Sequence, residues 1–212
     1  MFTRALDLEG AVGRLEAVLM TPAAPPVAAA VLCHAHPLHG GMMHFKVLFR
    51  VAKVLQKRGC AVLRFNFRAV GRSEGTHDAG RGEQDDVRAA LDALERDFPG
   101  VPIVAGGFSF GSVMALRVGV EDPRVKALLA LGFPIDRMKS TAFVESSTTR
   151  RLFVQGELDE FGSGDAMKRF VMTLPEPRKL VVIPGSDHFF TGKTDALGAA
   201  ISDWPGLGEG LI

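Results

Sequence analysis

The sequence predicts an α/β fold: one domain with a mostly parallel central sheet and helices on both faces. From Val27 onward, apolar runs alternate with segments of helical period, the pattern of strand–helix–strand units. The runs are near-continuously apolar rather than alternating, which means burial on both sides of the sheet. A chain of 212 residues that is 47% apolar and 23% charged can bury one sizeable core and is short for two. Residues 1–212 are therefore expected to form a single domain, with an edge hairpin in 1–26 and the core in 27–204.

Leu6 to Leu8 and Gly13 to Met20 read as an antiparallel hairpin at one edge, joined at Glu9-Gly10. Val27 to Cys33 is the first core strand. Phe45 to Lys57 puts Leu48, Val51, Ala52 and Leu55 on one helix face and stops at Lys57-Arg58-Gly59, cations in the last turn before a glycine cap. Ala61 to Phe67 is the next strand. Glu83 to Phe98 opens with Glu83, Asp85 and Asp86 at the positive helix end and repeats Val87, Ala90, Leu91 and Leu94. Strand Val101 to Ala105 feeds a helix over Ser109 to Val120, and strand Val125 to Leu131 follows. Leu152 to Gln155 and Leu180 to Ile183 are shorter strands, with helices expected over 165–174 and 195–204.

Lys and Arg number 25 against 24 Asp and Glu, a formal charge of +1, so no nucleic acid partner is expected. No stretch approaches the roughly 18 apolar residues of a membrane span, and Met1-Phe-Thr-Arg-Ala-Leu-Asp lacks the basic-then-apolar pattern of a secretion signal. No membrane partner and a cytoplasmic location follow as expectations, while a homodimer is left open. Cys33 would close one strand and Cys60 open another. In neighbouring parallel strands such thiols lie at opposite ends and do not bridge.

Gly107-Phe-Ser-Phe-Gly111 has the form Gly-x-Ser-x-Gly, which alone is a weak signal. Its context strengthens it, because an apolar strand enters the motif and a helix leaves it, as a turn that exposes a serine nucleophile requires. A hydroxyl becomes nucleophilic only when a base takes its proton, so a histidine and an orienting carboxylate should lie at later strand ends. Asp159 follows the strand at Leu152, and His188 follows the strand at Leu180. His188 is the only histidine after His77. Glu157, Glu160 and Asp165 compete with Asp159, and Asp187 reads as a cap of the segment after it.

The tetrahedral oxyanion of acyl transfer needs backbone donors. The amide after the nucleophile belongs to Phe110, and a second is expected from His34-Ala-His-Pro-Leu-His-Gly-Gly41. Pro37 has no N–H, so His36 is the first choice and Leu38 the second. Histidines 34, 36, 39 and 44 lack a neighbouring Cys, Asp or Glu to complete a zinc set, so neither a metal nor another cofactor is expected. His34 is expected to bond the loop backbone and brace the oxyanion turn.

These motifs, with Phe65-Asn-Phe-Arg-Ala-Val-Gly-Arg-Ser-Glu-Gly75, Gly156-Glu-Leu-Asp159 and Gly185-Ser-Asp-His188, resemble the α/β-hydrolase superfamily over residues 27–204. The resemblance is to its small, lid-less bacterial members near the dienelactone hydrolases and related esterases. It implies Ser109 as nucleophile, His188 as general base and acid, Asp159 as orienting carboxylate, and the amides of His36 and Phe110 as oxyanion donors. Two features depart from the pattern: Ala69 stands where relatives have glycine, and dienelactone hydrolases proper use a cysteine nucleophile. Arg68 is expected to tie its loop to the sheet end, with a substrate carboxylate as the alternative partner.

Only Phe133 to Arg150 is available where larger relatives insert a lid, enough for a short helix or loop. An open site is expected, rimmed by His39, Met42, Met43, Phe108, Phe133 and Met138, an apolar set suited to a small or medium acyl or alkyl group. The expected function is hydrolysis of a small-molecule ester. Thioester or amide cleavage, and a non-catalytic binding module on the same fold, are the alternatives.

Overall fold

The structure, a computed structural model, describes residues 1–205; the end of the expected domain, 206–212, lies outside the described residues. Among the described residues eight strands form one sheet: β1 (Phe2–Gly10), β2 (Gly13–Thr21), β3 (Ala28–Cys33), β4 (Cys60–Phe65), β5 (Ile103–Phe108), β6 (Val125–Leu131), β7 (Arg150–Gly156) and β8 (Arg178–Ile183). Their order is β1-β2-β4-β3-β5-β6-β7-β8. β2 pairs antiparallel with β1 and β4, and every other pair is parallel.

Every residue of β3, β4 and β5 is buried, which is why these strands read as apolar runs, interrupted only by Arg64 near the end of β4. Alternate residues feed two cores. Ala29, Val31 and Cys33 join one cluster with α2 (Glu83–Asp97) and α3 (Phe110–Gly119). Ala28, Ala30 and Leu32 join the other with α1 (Lys46–Lys57) and α6 (Thr194–Ser202). Between α3 and α6 come the single-turn α4 (Ala142–Glu145) and α5 (Gly164–Thr173), which packs beside β8. Helices therefore cover both faces. Among the described residues no helix is long and apolar enough to cross a membrane.

Several boundaries differ from expectation for local reasons. The hairpin turns at Ala11-Val12 rather than Glu9-Gly10, because Gly10 still pairs with Gly13, and Gly13 has the positive φ of 116° that closes the turn. β4 ends at Phe65, where Asn66 turns its side chain to accept the Met43 amide (2.8 Å) and donate to Glu16 (2.9 Å). β5 begins later and runs through Gly106 and Gly107, which pair with Leu32 and Cys33 of β3. β7 starts two residues early because Arg151, buried in the strand, donates to the carbonyls of Thr149 (2.9 Å), Val144 (2.8 Å) and Ser147. Those bonds tie residues 144–149 to the sheet, so the stretch replacing a lid consists of a 3-10 turn (Ile135–Arg137), α4 and a braced loop.

Cys60 pairs with Ala28 and Cys33 with Gly107, which puts the thiols at opposite ends of adjacent strands. Both are free, and burial raises both thiol pKa values, Cys60 to about 11.

Candidate active site

The turn after β5 is sterically specified. Ser109 has φ 55° and ψ −121°, a conformation that strains any residue with a Cβ by about 1–3 kcal/mol. Two bonds hold it there: Ser109 N–H donates to the Leu131 carbonyl (2.9 Å), and Ser112 Oγ donates to the Ser109 carbonyl (2.6 Å). A Cβ on Gly107 would lie 2.8 Å from the Cys33 carbonyl oxygen and closer still to Gly111. One on Gly111 would overlap the carbonyls of Cys33 and His34. Both glycines are there because the helix start passes against β3 with no room for a side chain, and the half-buried serine is left at the apex.

His188 arrives on the loop after β8. Its Nε2 is 3.0 Å from Ser109 Oγ, and its Nδ1 is 2.7 Å from Asp159 Oδ2. The ring is seated between Phe108 (centroids 4.9 Å apart), Phe161 (4.6 Å) and Phe189 (5.2 Å). A Cβ on Gly132 would press on both His188 and Phe108, so a small residue is needed there as well.

Asp159, 3% exposed, is the acid that reaches this ring. Its Oδ1 accepts from the Phe161 amide (2.8 Å) and its Oδ2 also from Gln155 Nε2 (2.8 Å). The competing acids are occupied or exposed: Glu157 accepts from the Gly185 amide, Asp165 pairs with Lys168, and Glu160 faces solvent. Asp187 accepts from the Thr191 amide (2.9 Å), the capping role expected of it, and that bond leads the interactions holding its carboxyl below the ordinary range.

Gln155 was not anticipated. It is fully buried at the end of β7, donates to Asp159 and to the Gly162 carbonyl (2.7 Å), and accepts from the Phe133 amide (2.9 Å). The available signal was one amide side chain closing an apolar strand four residues before the acid.

On the other side of Ser109, Phe110 is the first residue of α3, where an N–H has no intrahelical acceptor. The His36 ring packs 4.9 Å from the Phe110 ring, which sets the loop after β3 beside the start of α3. The amide of Leu38, the second choice, donates instead to His36 Nδ1 (3.2 Å).

His34 is buried with both ring nitrogens engaged: Nδ1 lies 2.6 Å from the Ala35 carbonyl, and Nε2 accepts from the Phe67 amide (3.0 Å). It links the β3 and β4 loops, and burial lowers its pKa to about 4 against one opposing backbone bond. Arg68 is also occupied internally. Its Nε, Nη2 and backbone amide bind Asp86, with Nη2 2.7 Å from Oδ1, which ties its loop to the start of α2. The next residue, Ala69, takes φ 65° where a glycine would be unstrained.

The expected rim needs correction at three positions. Met43 is 1% exposed, and Phe108 and Phe133 are fully buried. Met43 is anchored by Asn66, Phe133 stacks on Phe170 at 5.7 Å, and Phe108 forms the support under His188. Apolar side chains of this size gain more from the core than from a rim. His39 and Met42 are exposed, and Met138 is half-buried against the α2–α3 side of the core. His44 is exposed, and among the described residues no group of three His, Cys, Asp or Glu side chains is placed to hold a metal ion.

A serine raised on a strained turn after the central strand of a mostly parallel eight-stranded sheet is the architecture of α/β hydrolases. The chain belongs to that family: the family model described as an alpha/beta hydrolase domain matches residues 28–199. It is 34% identical over 203 residues to an uncharacterised protein of Rickettsia prowazekii (strain Madrid E), a match covering 92% of this chain and 85% of the relative. Among solved structures it is similar to a lid-less α/β serine hydrolase from Xanthomonas campestris, with 33% identity, a TM-score of 0.86, and coverage of 94% of this chain and 91% of that one. An α/β serine hydrolase homologue from Coxiella burnetii gives 33% identity, a TM-score of 0.89, and coverage of 95% and 97%. These relatives support a hydrolase function.

Proposed function

We propose that the protein is a serine hydrolase that cleaves small or medium carboxylic esters through an acyl-enzyme intermediate. The supporting observation is the continuous contact Ser109 Oγ–His188 Nε2–Asp159 Oδ2, at 3.0 and 2.7 Å. Ser109 Oγ attacks the ester carbonyl carbon while its proton passes to His188 Nε2. The imidazolium so formed faces the Asp159 carboxylate. The oxyanion is received by the amides of Phe110 and His36, each such donor being worth about 3 kcal/mol in the transition state. Collapse expels the alcohol, which takes the proton from His188. A water then enters, gives its proton to His188, and releases the acid and free Ser109 by the same steps in reverse order. The substrate is a small molecule, and the protein acts in the cytoplasm without a membrane or nucleic acid partner.

The test is hydrolysis of p-nitrophenyl esters of increasing acyl length by the wild type and by Ser109→Ala, with a fluorophosphonate probe alongside. Turnover that peaks at one length, with labelling, and the loss of both in a folded Ser109→Ala variant are the expected results. Equal turnover in the variant would overturn the assignment of the nucleophile. Absence of turnover and of labelling in folded wild type would favour a binding role on this fold.

A further inference from the structure

A second polar group lies beside the same turn and takes no part in the steps above. The His36 ring stacks on His39 at 4.5 Å and packs against His77 at 5.0 Å and Phe110 at 4.9 Å. Because Phe110 follows Ser109 directly, these imidazoles border the nucleophile turn. His77 Nδ1 is 2.7 Å from Oε1 of Glu83, a fully buried carboxylate. Glu83 also accepts from the amides of Asp78 (2.9 Å) and Gly80 (2.8 Å). The nearby acid Asp78 is itself taken by Arg81 (2.7 Å) and the Gly82 amide (3.1 Å). Of the three imidazoles only His77 faces the carboxylate, and that carboxylate already serves two amides.

We infer that His36, His39 and His77 form a subsite for a carboxylate group carried by the substrate. This rests on the esterase reading above and specifies its substrate class. Leu38 N–H donates to His36 Nδ1, so a neutral His36 carries its proton on Nε2, turned away from that bond. His77 Nδ1 faces Glu83 Oε1 at 2.7 Å but makes no hydrogen bond, and His39 is exposed. An apolar group placed here would strip these ring N–H groups of water without replacing their bonds, whereas a carboxylate accepts from two at once. Burial, then the neighbouring His39 and His77, hold His36 below the ordinary histidine range, with Glu83 opposing. A bound anion relieves that crowding of bases. Around His188 the site is apolar instead, with Phe45, Phe108 and Phe189 in mutual contact at 5.6–6.2 Å. The substrate is therefore an ester with a carboxylate on one part and an apolar group on the other.

Two matched ester pairs test this, each exchanging one methyl for a carboxylate: p-tolyl acetate against 4-acetoxybenzoate, and p-nitrophenyl hexanoate against the mono-p-nitrophenyl ester of adipic acid. The wild type should favour the carboxylate member in at least one pair by about tenfold in kcat/KM. His77→Ala and the exposed His39→Ala should each lower that ratio severalfold, and His39→Ala remains informative if His77→Ala misfolds. A ratio at or below one in both pairs, or a preference that survives both substitutions, overturns the subsite while leaving the esterase reading in place. If no ester turns over and the fluorophosphonate does not label, the esterase reading fails separately. Benzoate is then titrated into the wild type and followed by histidine side-chain NMR. Movement of the His36 and His77 resonances supports the anion site, and no movement at any concentration overturns it.

Discussion

His34 and His188 are both buried near the ends of sheet strands, and both have two engaged ring nitrogens, yet their partners differ in kind. His34 meets only backbone, the Ala35 carbonyl at 2.6 Å and the Phe67 amide at 3.0 Å. His188 meets side chains, the Asp159 carboxylate at 2.7 Å and the Ser109 hydroxyl at 3.0 Å. A second proton on His34 would point at an N–H and create a charge with no counter-ion. One on His188 would come from the hydroxyl it already faces and leave the ring opposite an anion. Burial alone does not decide whether a histidine braces a loop or carries a proton. The partner across the ring does.

Making the two rings alike should have the largest effect. Asp159→Asn gives His188 a neutral partner, as His34 has, and kcat for the best p-nitrophenyl ester should fall by about 10⁴-fold. Thermal melting checks that the variant stays folded, and activity within tenfold of wild type would show that the carboxylate is not what separates the two rings. A smaller loss is expected one bond further out. Gln155→Leu removes a donor to Asp159 and leaves the Phe133 amide and the Gly162 carbonyl unpartnered. It should lower kcat by roughly ten- to a hundredfold through misplaced geometry and destabilise the fold by about 1–3 kcal/mol for each stranded group. Unchanged kcat in a destabilised variant would reduce Gln155 to a packing residue.

The sheet was legible because β3, β4 and β5 bury both faces, so apart from Arg64 in β4 their sequences carry no charged or polar side chain. The meeting of Ser109, Asp159 and His188 was legible for a related reason: parallel strands deliver their C-terminal ends to one edge, so residues just past those ends converge. Burial of individual loop residues was not legible. Met43 and Phe133 read like rim residues, since an apolar side chain in a loop looks the same in sequence whether it faces a ligand or the core. Arg151 and Gln155 were hidden for the converse reason. Apart from the Gln155–Asp159 bond, their partners are backbone carbonyls and amides, which no side-chain pattern records. The His36–His77 contact joins loops after β3 and β4 and has no local signature.

The last prediction concerns His34, where the effect is on stability rather than turnover. Its pKa falls from an ordinary 6.5 to about 4 in the folded protein because burial penalises the charged ring. The unfolded chain therefore takes up a proton as pH falls below about 6.5, while the folded chain cannot until about pH 4. The stability tied to the neutral ring is complete above pH 6.5 and is lost as pH falls toward 4. At 1.36 kcal/mol per pKa unit that loss approaches roughly 3 kcal/mol. His34→Gln keeps a donor for Ala35 and an acceptor for Phe67 but does not titrate. Urea unfolding of both proteins from pH 8 down to pH 4.5 should show the wild type losing stability faster than the variant, with the difference opening below pH 6.5. Parallel curves would mean that His34 keeps an ordinary affinity for its proton despite burial. In that case backbone partners would not be enough to hold a ring neutral, and the contrast with His188 would lose its physical basis.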